Sequence, residues 1–565
     1  MKLRNSLGVI TIILPLILTT VAQTAWSQKG RKASVDALLA LQTRPERTNF
    51  AETSRYEDVM EFLRAVAAYS PVIHLRTMGY SFEGRPLPLA VVGTMKDPSP
   101  AAVKAITGKT LVYIEANIHA GEVEGKEACL ELLRDIASGR HKDWLDSMVL
   151  LICPIYNPDG NDRINLTNRQ AQNGPIGGMG QRPNAQNYDL NRDFTKLEAP
   201  ESRSVAQLFN QYDPQVAIDL HTTDGSIHAY HLTYAPPLHP ATAPGVVDIL
   251  RKGLLPDVTQ VIKAKDGWDF HFYGDVTGGR GGRGGRGGFG PPDQAPATTE
   301  RAWYTTEPTP RYSANYFGMR NRLGILSETF AYLTFEDRIR TARRFVEEIL
   351  NWTRDHGDSI RKVTAEADHQ SIVGQEIALT GRAVKSAEPA EILLGEVTTE
   401  KNPYTGAMMR RRLDVRKPEK MYEYISFEAA ESTRAPRAYL VPPNLRQVVD
   451  RLEAHGISFS PLKDAAMLKV EQFKIESSTT AQREFQGHKN RAMTGTWESA
   501  EQSVPAGTLV VPVDQPLGRL IVLLLEPRCD DSLAAWNMMD DVLEKLKPQY
   551  YPILRTSEAV SLPQK

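Results

Sequence analysis

The chain has 565 residues, which is too long for one ordinary hydrophobic core, so roughly two or three domains are expected. Lys and Arg together number 67 and Asp and Glu 68, and this balance excludes a global field that would attract nucleic acid or an anionic membrane. With 41% hydrophobic residues and 3 cysteines, the composition is that of a globular chain and excludes a disulfide scaffold.

Residues 1–27 have the layout of a secretory signal peptide. Lys2 and Arg4 precede the apolar run LGVITIILPLILT, and small residues follow it up to Ser27. The apolar run is short for a membrane span, and Pro15 interrupts it. We therefore expect export to the periplasm or the extracellular space, with no membrane contact after cleavage; an uncleaved anchor is the alternative.

The first long segment after this leader alternates strands and helices. Apolar residues at helical spacing predict a helix over 54–69, and two strands joined by a turn at Glu83 and Gly84 follow it. The next elements are the strand TLVYIEAN, the helix GKEACLELLRDIAS, the strand SMVLLICPIYN, the helix APESRSVAQLFNQY and the strand PQVAIDLH. A helical stretch over 246–265, a strand in RLGILSET and a helix over 336–361 complete the set. Continuous apolar strands alternating with amphipathic helices predict an α/β fold, with a mixed, mostly parallel twisted sheet covered by helices on both faces.

The composition changes twice along the chain. Within a first domain at residues 34–362, residues 277–293 read TGGRGGRGGRGGFGPPD. Arg-Gly-Gly repeats can bind single-stranded nucleic acid, but in an exported, charge-balanced chain we interpret them as a flexible loop insertion. Over residues 366–560, short alternating strands and one helix predict a β-rich accessory region of one or two domains, without a cluster of metal ligands or nucleophiles.

Three polar residues at strand ends form a candidate metal site. His119 and Glu122 follow the strand TLVYIEAN, and His221 ends PQVAIDLH. Ligands in open α/β sheets collect at the carboxyl ends of strands, and a catalytic zinc takes three His or carboxylate ligands while leaving a position for water. A His-x-x-Glu pair alone is as consistent with a coincidental surface pair, but the second histidine favours one zinc ion on these three residues.

A spare carboxylate lies at the end of another apolar strand. Glu328, in GILSE, is placed to polarise the water and to pass its proton to a leaving amine. The alternative is an ion pair with Arg320 or Arg322, since structural ion pairs are common.

The segment DLNRDF offers groups for a substrate carboxylate. Arg192 can bind a carboxylate bidentately, with the amide of Asn191 beside it. Asp189 could orient a ligand imidazole from behind, as carboxylates often do. The alternative for all three residues is turn formation and local hydrogen bonding.

Five ordered motifs, HAGE, NPDG, DLNRDF, DLHTTDG and SETF, carry a family resemblance over about residues 50–360. The chain resembles the zinc metallocarboxypeptidases, the carboxypeptidase A-like peptidases. The resemblance implies a carboxypeptidase-like α/β sheet with helices on both faces. It also implies zinc on His119, Glu122 and His221, Asp189 behind the first histidine, the substrate carboxylate on Asn191 and Arg192, and Glu328 as general base and acid.

The resemblance implies two further residues that the motifs do not identify. Family members carry an arginine after NPDG that polarises the scissile carbonyl; of Arg163 and Arg169, we favour Arg169. They also use a tyrosine upstream of the general base to cap the substrate. The candidates are Tyr304, Tyr312 and Tyr316, and we favour Tyr304 on position.

These observations predict an exported zinc metallocarboxypeptidase that acts on the C-terminus of a peptide or protein. One alternative is an amide hydrolase, resembling aspartoacylase-type enzymes, that acts on small acyl-amino acids or cell-wall peptides. The other is a secreted protein that binds zinc without turnover, against which Glu328 argues. The sequence leaves the preferred terminal residue and the oligomeric state open.

Overall fold

The computed structural model describes Leu38 and residues 40–223, 227–276, 301–545 and 549–559. The predicted signal peptide at 1–27 and the predicted loop insertion at 277–293 lie outside these residues. Across the described ranges, no helix has both the length and the apolar content that a membrane crossing requires.

The first part of the chain forms an eight-stranded sheet. Its strands and the short pair beside it are β1 (Ile73–Tyr80), β2 (Pro86–Val92), β3 (Thr110–Ala116), β4 (Met148–Cys153), β5 (Val216–Thr223), β6 (Leu232–Ala235), β7 (Phe270–Phe272), β8 (Asp275–Val276), β9 (Trp303–Tyr304) and β10 (Leu323–Phe330). The order is β1-β2-β4-β3-β5-β10-β6-β7. The central strands β4, β3, β5 and β10 are parallel, and so is the edge pair β6 and β7, whereas β1 with β2, β2 with β4 and β6 with β10 pair antiparallel. The predicted mixed, mostly parallel sheet is therefore confirmed.

Helices cover both faces of this sheet, as predicted. They are α1 (Arg44–Arg47), α2 (Tyr56–Tyr69), α3 (Pro100–Lys104), α4 (Glu124–Ala137), α5 (Trp144–Ser147), α6 (Pro158–Asp162), α7 (Pro200–Tyr212), α8 (Pro244–Ile249), α9 (Leu255–Asp266), α10 (Ser313–Met319) and α11 (Phe335–His369). A 3-10 turn spans Leu190–Arg192, and a π-helical turn over Leu250–Leu254 joins α8 to α9.

The apolar runs in the strands follow from burial on both sides. Every residue of β3 is buried, with Val112 and Ile114 in the core on one face and Leu111 and Tyr113 in the core on the other. A strand covered on both faces has no solvent side on which polar residues would alternate.

The rest of the chain is β-rich, as predicted. Its elements are β11 (Glu376–Val384), β12 (Ala390–Leu394), β13 (Val397–Lys401), β14 (Met408–Arg412), β15 (Lys417–Met421), β16 (Glu423–Tyr424), β17 (Ser426–Arg434), β18 (Ala438–Val441), α12 (Arg446–His455), β19 (Ser460–Pro461), β20 (Ala466–Thr480), β21 (Arg491–Val504), β22 (Leu509–Pro512), α13 (Gly518–Leu525), α14 (Asp540–Leu543) and β23 (Leu554–Thr556). The helix α13 was not predicted, because its GRLIVLLL segment is a short, almost wholly apolar run that is buried along its length, and such a run does not distinguish a helix from a strand.

This C-terminal region, residues 370–559, shares a core with the sheet. Phe317 of α10 and Leu520 of α13 belong to one hydrophobic cluster, and β9 pairs in parallel with β16. The helix α11 also runs to His369, beyond its predicted end at residue 361, because Val363 and Ala367 still pack against the core. The two parts of the chain are thus joined by a helix and by packed side chains.

Candidate active site

A pocket of about 100 Å3 opens at the carboxyl ends of the central strands. Five of the residues selected from the sequence line it, namely His119, Glu122, Asn191, Arg192 and Glu328. The other lining residues are Arg182, Thr222, Thr223, Tyr273, Thr306, Tyr312 and Leu326. The pocket therefore lies where the strand-end argument predicts a ligand site.

A tight turn brings His119 and Glu122 together. The Glu122 N–H donates to the His119 carbonyl at 2.8 Å, and the side chain of Asn117 donates to the Glu122 carbonyl at 3.2 Å. Asn117 itself has φ of +67°, a left-handed conformation that Asn tolerates better than most residues. The three-residue spacing is thus set by a turn between β3 and α4.

The side chain of His221 meets this pair from β5. His221 Nδ1 lies 2.8 Å from one Glu122 oxygen, and His119 Nδ1 lies 3.0 Å from the other. The two Nδ1 atoms are 3.2 Å apart, and the three ligand atoms all lie within 4.8 Å of one another. The three side chains are each 3% exposed, so they form a buried donor cluster at the base of the pocket.

In each histidine, the ring nitrogen that does not contact Glu122 lies next to another carboxylate. His119 Nε2 lies 3.0 Å from Asp189 Oδ1, and His221 Nε2 lies 2.6 Å from Asp219 Oδ2. With a metal ion bound, a proton on each Nε2 would leave both Nδ1 lone pairs available to the ion, the arrangement that carboxylates impose on metal-binding imidazoles. Asp219 was missed from the sequence, although its position two residues before His221 on a strand places both side chains on one face.

The pKa values of Glu122 and Asp189 are both lowered. Burial opposes the ionisation of Glu122, but the charges of His119 and Arg169 outweigh it and hold its pKa well below the usual value. Burial likewise opposes the ionisation of Asp189. The charge of Arg182 is the largest influence in the other direction, and the pKa of Asp189 is held well below the usual value. For His221, burial favours the neutral ring, but the carboxylates of Asp219 and Glu122 raise its pKa well above normal. The cluster therefore favours a positive charge between its donors.

Glu328 enters the pocket from the strand next to His221. Strands β5 and β10 are parallel, and Glu328 pairs in register with His221. Glu328 is 9% exposed and lines the pocket. Sheet geometry thus places this carboxylate beside the donor cluster.

Asn191 and Arg192 face Tyr312 and Ser313 across the pocket. The Ser313 N–H donates to Asn191 Oδ1 at 2.8 Å, which orients the amide. The guanidinium carbon of Arg192 lies 4.2 Å from the centre of the Tyr312 ring, within cation–π distance. The two polar residues are therefore held in place before any substrate arrives.

The structure separates the arginines that follow NPDG. Arg163 pairs with Glu83 at 2.6 Å on the surface, and Arg169 pairs with Glu122 without lining the pocket. Arg182 does line the pocket, and its Nε donates to Asp189 Oδ2 at 2.9 Å. The sequence analysis considered only Arg163 and Arg169 and missed Arg182, which lies further along the same segment.

The tyrosines also differ from the sequence-based choice. Tyr304 lies in β9 and stacks on Tyr424 with ring centres 4.3 Å apart, and it is not among the pocket residues. The Tyr316 hydroxyl lies 2.9 Å from His455 Nδ1 inside the core. Tyr312 and Tyr273 line the pocket instead.

The sequence is similar to those of known carboxypeptidases. Residues 59–242 match a family model described as zinc carboxypeptidase. Carboxypeptidase 2 of Trichophyton tonsurans is 23% identical over 530 residues, which cover 89% of this chain and 86% of that protein. Carboxypeptidase M of Mus musculus is 33% identical over 144 residues, 24% of this chain and 30% of that protein. The carboxypeptidase A structure of Helicoverpa armigera aligns with a TM-score of 0.38 and 15% identity, over 60% of this chain and 81% of that one.

Proposed function

The chain belongs to the zinc carboxypeptidase family, and from this premise we propose that it is an exported enzyme that hydrolyses the C-terminal peptide bond of peptides or proteins. Members of this family are metallopeptidases that act on peptide C-termini. The proposal of export depends on the charged and then apolar order of residues 1–27. The mechanism below depends on the pocket residues.

We assign one zinc ion to His119, Glu122 and His221. Two imidazole nitrogens and a carboxylate oxygen form a donor set that suits zinc, and each imidazole has a carboxylate partner behind it. Zinc bound there would supply Lewis acidity, lowering the pKa of a coordinated water and polarising a carbonyl group.

The described residues contain a second group of possible metal ligands, but its surroundings suit a metal ion less well. We therefore propose a single zinc ion. Asp135, His141 and Glu347 also approach one another closely. Arg343 pairs with both of these carboxylates, and its Nε lies 2.8 Å from Glu347. His141 and Glu347 are only partly buried, whereas all three residues of the first group are buried and both of its imidazoles have a carboxylate partner.

Arg192 and Asn191 are the proposed binding site for the substrate's terminal carboxylate. Arg192 is 4% exposed and is held against Tyr312, so its planar donors are oriented before binding. The Asn191 amide is oriented by Ser313 and offers a further donor. Fixing the chain end leaves only the terminal peptide bond within reach of the donor cluster, which makes the enzyme an exopeptidase.

Glu328 is the proposed general base and acid. Its register with His221 supports this role, because it brings the carboxylate next to the donor cluster at which water would be activated. In the first step its carboxylate accepts a proton from that water. In the second step it returns the proton to the leaving amine.

Arg182 is the proposed donor to the carbonyl oxygen of the scissile bond, in place of Arg169. It lines the pocket, and Asp189 restrains its Nε at 2.9 Å while also holding His119. A fixed cation at this position stabilises negative charge as it develops on the oxygen. Arg169 pairs with Glu122 but does not line the pocket.

The convergence of His119, Glu122 and His221 beside Glu328 is the observation that carries the proposal. The test is a panel of N-terminally blocked peptides that differ in their last residue, together with acyl-amino acids. Mass spectrometry would read the products with and without a chelator. Loss of single C-terminal residues, abolished by the chelator and by Glu328→Gln, is expected. Internal cleavage, or hydrolysis of acyl-amino acids alone, would overturn the proposal.

A further inference from the structure

We propose that the C-terminal region completes the active site through two positioning residues, Gln486 and Asp531. Gln486 lies in the connection between β20 and β21, and Asp531 follows α13. Each contacts a loop that carries residues of the pocket. The inference rests on the roles proposed above for the donor cluster and for the carboxylate-binding residues.

Gln486 holds the backbone of Asp189. Its Oε1 accepts a hydrogen bond from the Asp189 N–H at 2.9 Å. The Asp189 carboxylate then contacts His119 with one oxygen and Arg182 with the other. Gln486 therefore supports Asp189, which orients both a proposed metal ligand and the proposed oxyanion donor.

The conformation of this connection explains how Gln486 reaches the site. Phe485 and His488 exchange backbone hydrogen bonds of 2.7 and 3.0 Å across a tight turn. The central residues Gln486 and Gly487 have φ of +51° and +79°, as a type I′ turn requires. The first central position favours Asn or Gly, and a longer side chain with positive φ carries a strain of order 1 kcal/mol. We infer that the length of Gln486, which spans the gap to Asp189, compensates for this strain.

One contact fixes the turn to the sheet domain, and another fixes it within the C-terminal region. His488 Nε2 lies 2.9 Å from Glu198 Oε2, and the ring of Phe485 packs 6.1 Å from Trp536. The turn is therefore held against the segment that follows Asp189.

Asp531 holds the other side of the pocket. This fully buried carboxylate accepts a hydrogen bond from the Arg311 N–H at 2.6 Å and from Trp536 Nε1 at 2.7 Å. The Arg311 guanidinium also lies 3.4 Å from it. Asp531 thus fixes the backbone of the residue that precedes Tyr312 and Ser313.

Those two residues orient the proposed carboxylate-binding group. Tyr312 stacks on Arg192, and the Ser313 N–H binds Asn191. Ser313 Oγ also donates to Asp219, which lies behind His221. A shift at Arg311 would therefore be transmitted first to the groups that bind the chain end.

Gln486 acts first through Asp189, and Asp531 acts first through Arg311, so we expect the main effects of their loss to differ. Loss of the Gln486 hydrogen bond is expected to weaken zinc binding. Loss of the Asp531 contacts is expected to weaken binding of a free carboxylate without loss of zinc. A purely structural role would lower both properties together.

The first test is zinc affinity by competition with a chromophoric chelator, which does not require turnover. Gln486→Leu should lower the affinity about tenfold, in line with the effect of removing support behind a metal ligand. Gln486→Glu keeps an acceptor and should restore most of it. The matched control is Gln515→Leu, because Gln515 accepts the Ser458 N–H within the C-terminal region. Unchanged zinc affinity in Gln486→Leu would overturn the assignment.

The second test is ligand binding in the Glu328→Gln background, where substrate is not consumed. For the best peptide of the panel, Asp531→Asn should weaken binding of the free-acid form about tenfold and leave the carboxamide form unchanged. Asp540→Asn is the matched control, because Asp540 pairs with Arg491 within the C-terminal region at 3.0 Å. An equal loss for both forms, or a loss of zinc, would overturn the role of Asp531. If no peptide binds the parent protein, the proposed function fails, whereas the zinc competition still decides the role of Gln486.

Discussion

Glu328 and His221 occupy matching register positions on the neighbouring parallel strands β10 and β5. Adjacent strands lie about 4.8 Å apart, so the backbone of the sheet sets the separation between the proposed base and a proposed metal ligand. Flexible loops therefore contribute little to this separation. The two residues act on different properties of the enzyme, and substitutions should distinguish them.

Glu328→Gln is expected to reduce kcat by roughly 10²–10⁴-fold, because the amide cannot accept a proton from water. The zinc content should remain that of the parent protein, since Glu328 is not one of the proposed ligands. Steady-state kinetics and elemental analysis of the same preparation would measure both. Full activity in this variant would rule out Glu328 as the base.

His221→Ala is expected to lose zinc and activity together. It removes one of three donors and leaves Asp219 buried without its imidazole partner. A chelator should produce the same loss in the parent protein, and added zinc should restore the parent but not the variant. Zinc retained at full stoichiometry in His221→Ala would contradict the assignment of ligands.

Arg182→Ala is expected to lower kcat by about 10²–10³-fold, which is typical for the loss of one oxyanion donor. Arg163→Ala is the matched control, because Arg163 pairs with Glu83 on the surface. Arg169→Ala is expected to act through zinc affinity, since Arg169 pairs with Glu122. A larger loss of kcat in Arg169→Ala than in Arg182→Ala, with zinc retained, would reverse the assignment.

Glu198 makes the contact between the two parts of the chain dependent on pH. Burial opposes its ionisation, but the His488 hydrogen bond and the charge of Lys196 outweigh it and lower its pKa from 4.5 to about 2. A pKa lower in the folded state means that the carboxylate stabilises the fold fully above pH 4.5, and that this stabilisation is lost as the pH falls toward about 2.

The measurement is denaturant unfolding of the parent protein and Glu198→Gln. Near neutral pH the free energy of unfolding of the parent should be greater by roughly 1–3 kcal/mol. The difference should narrow as the pH falls from 4.5 toward about 2, because over this range the unfolded state has bound a proton that the folded state has not. If the difference in the free energy of unfolding stays constant over this pH range, the ionised Glu198 carboxylate is not its origin.

The sequence by itself determined the central sheet and most of the residues at its edge. Apolar runs such as TLVYIEAN indicate strands buried on both faces, and in such sheets the carboxyl ends of parallel strands meet at one edge. Residues at those ends, such as His119 and His221, can therefore be brought together by reasoning from strand positions alone. The structure places their Nδ1 atoms 3.2 Å apart.

Only the tertiary structure decided the choice among residues in loops and the part played by the C-terminal region. Arg163, Arg169 and Arg182 lie in one long segment without periodic burial, so spacing does not indicate which of them faces the pocket. The contact of Gln486 with Asp189 joins residues 297 positions apart and is made by a side chain reaching a backbone N–H. Such a contact leaves no periodic pattern in the sequence, because it depends on how two separately folded surfaces meet.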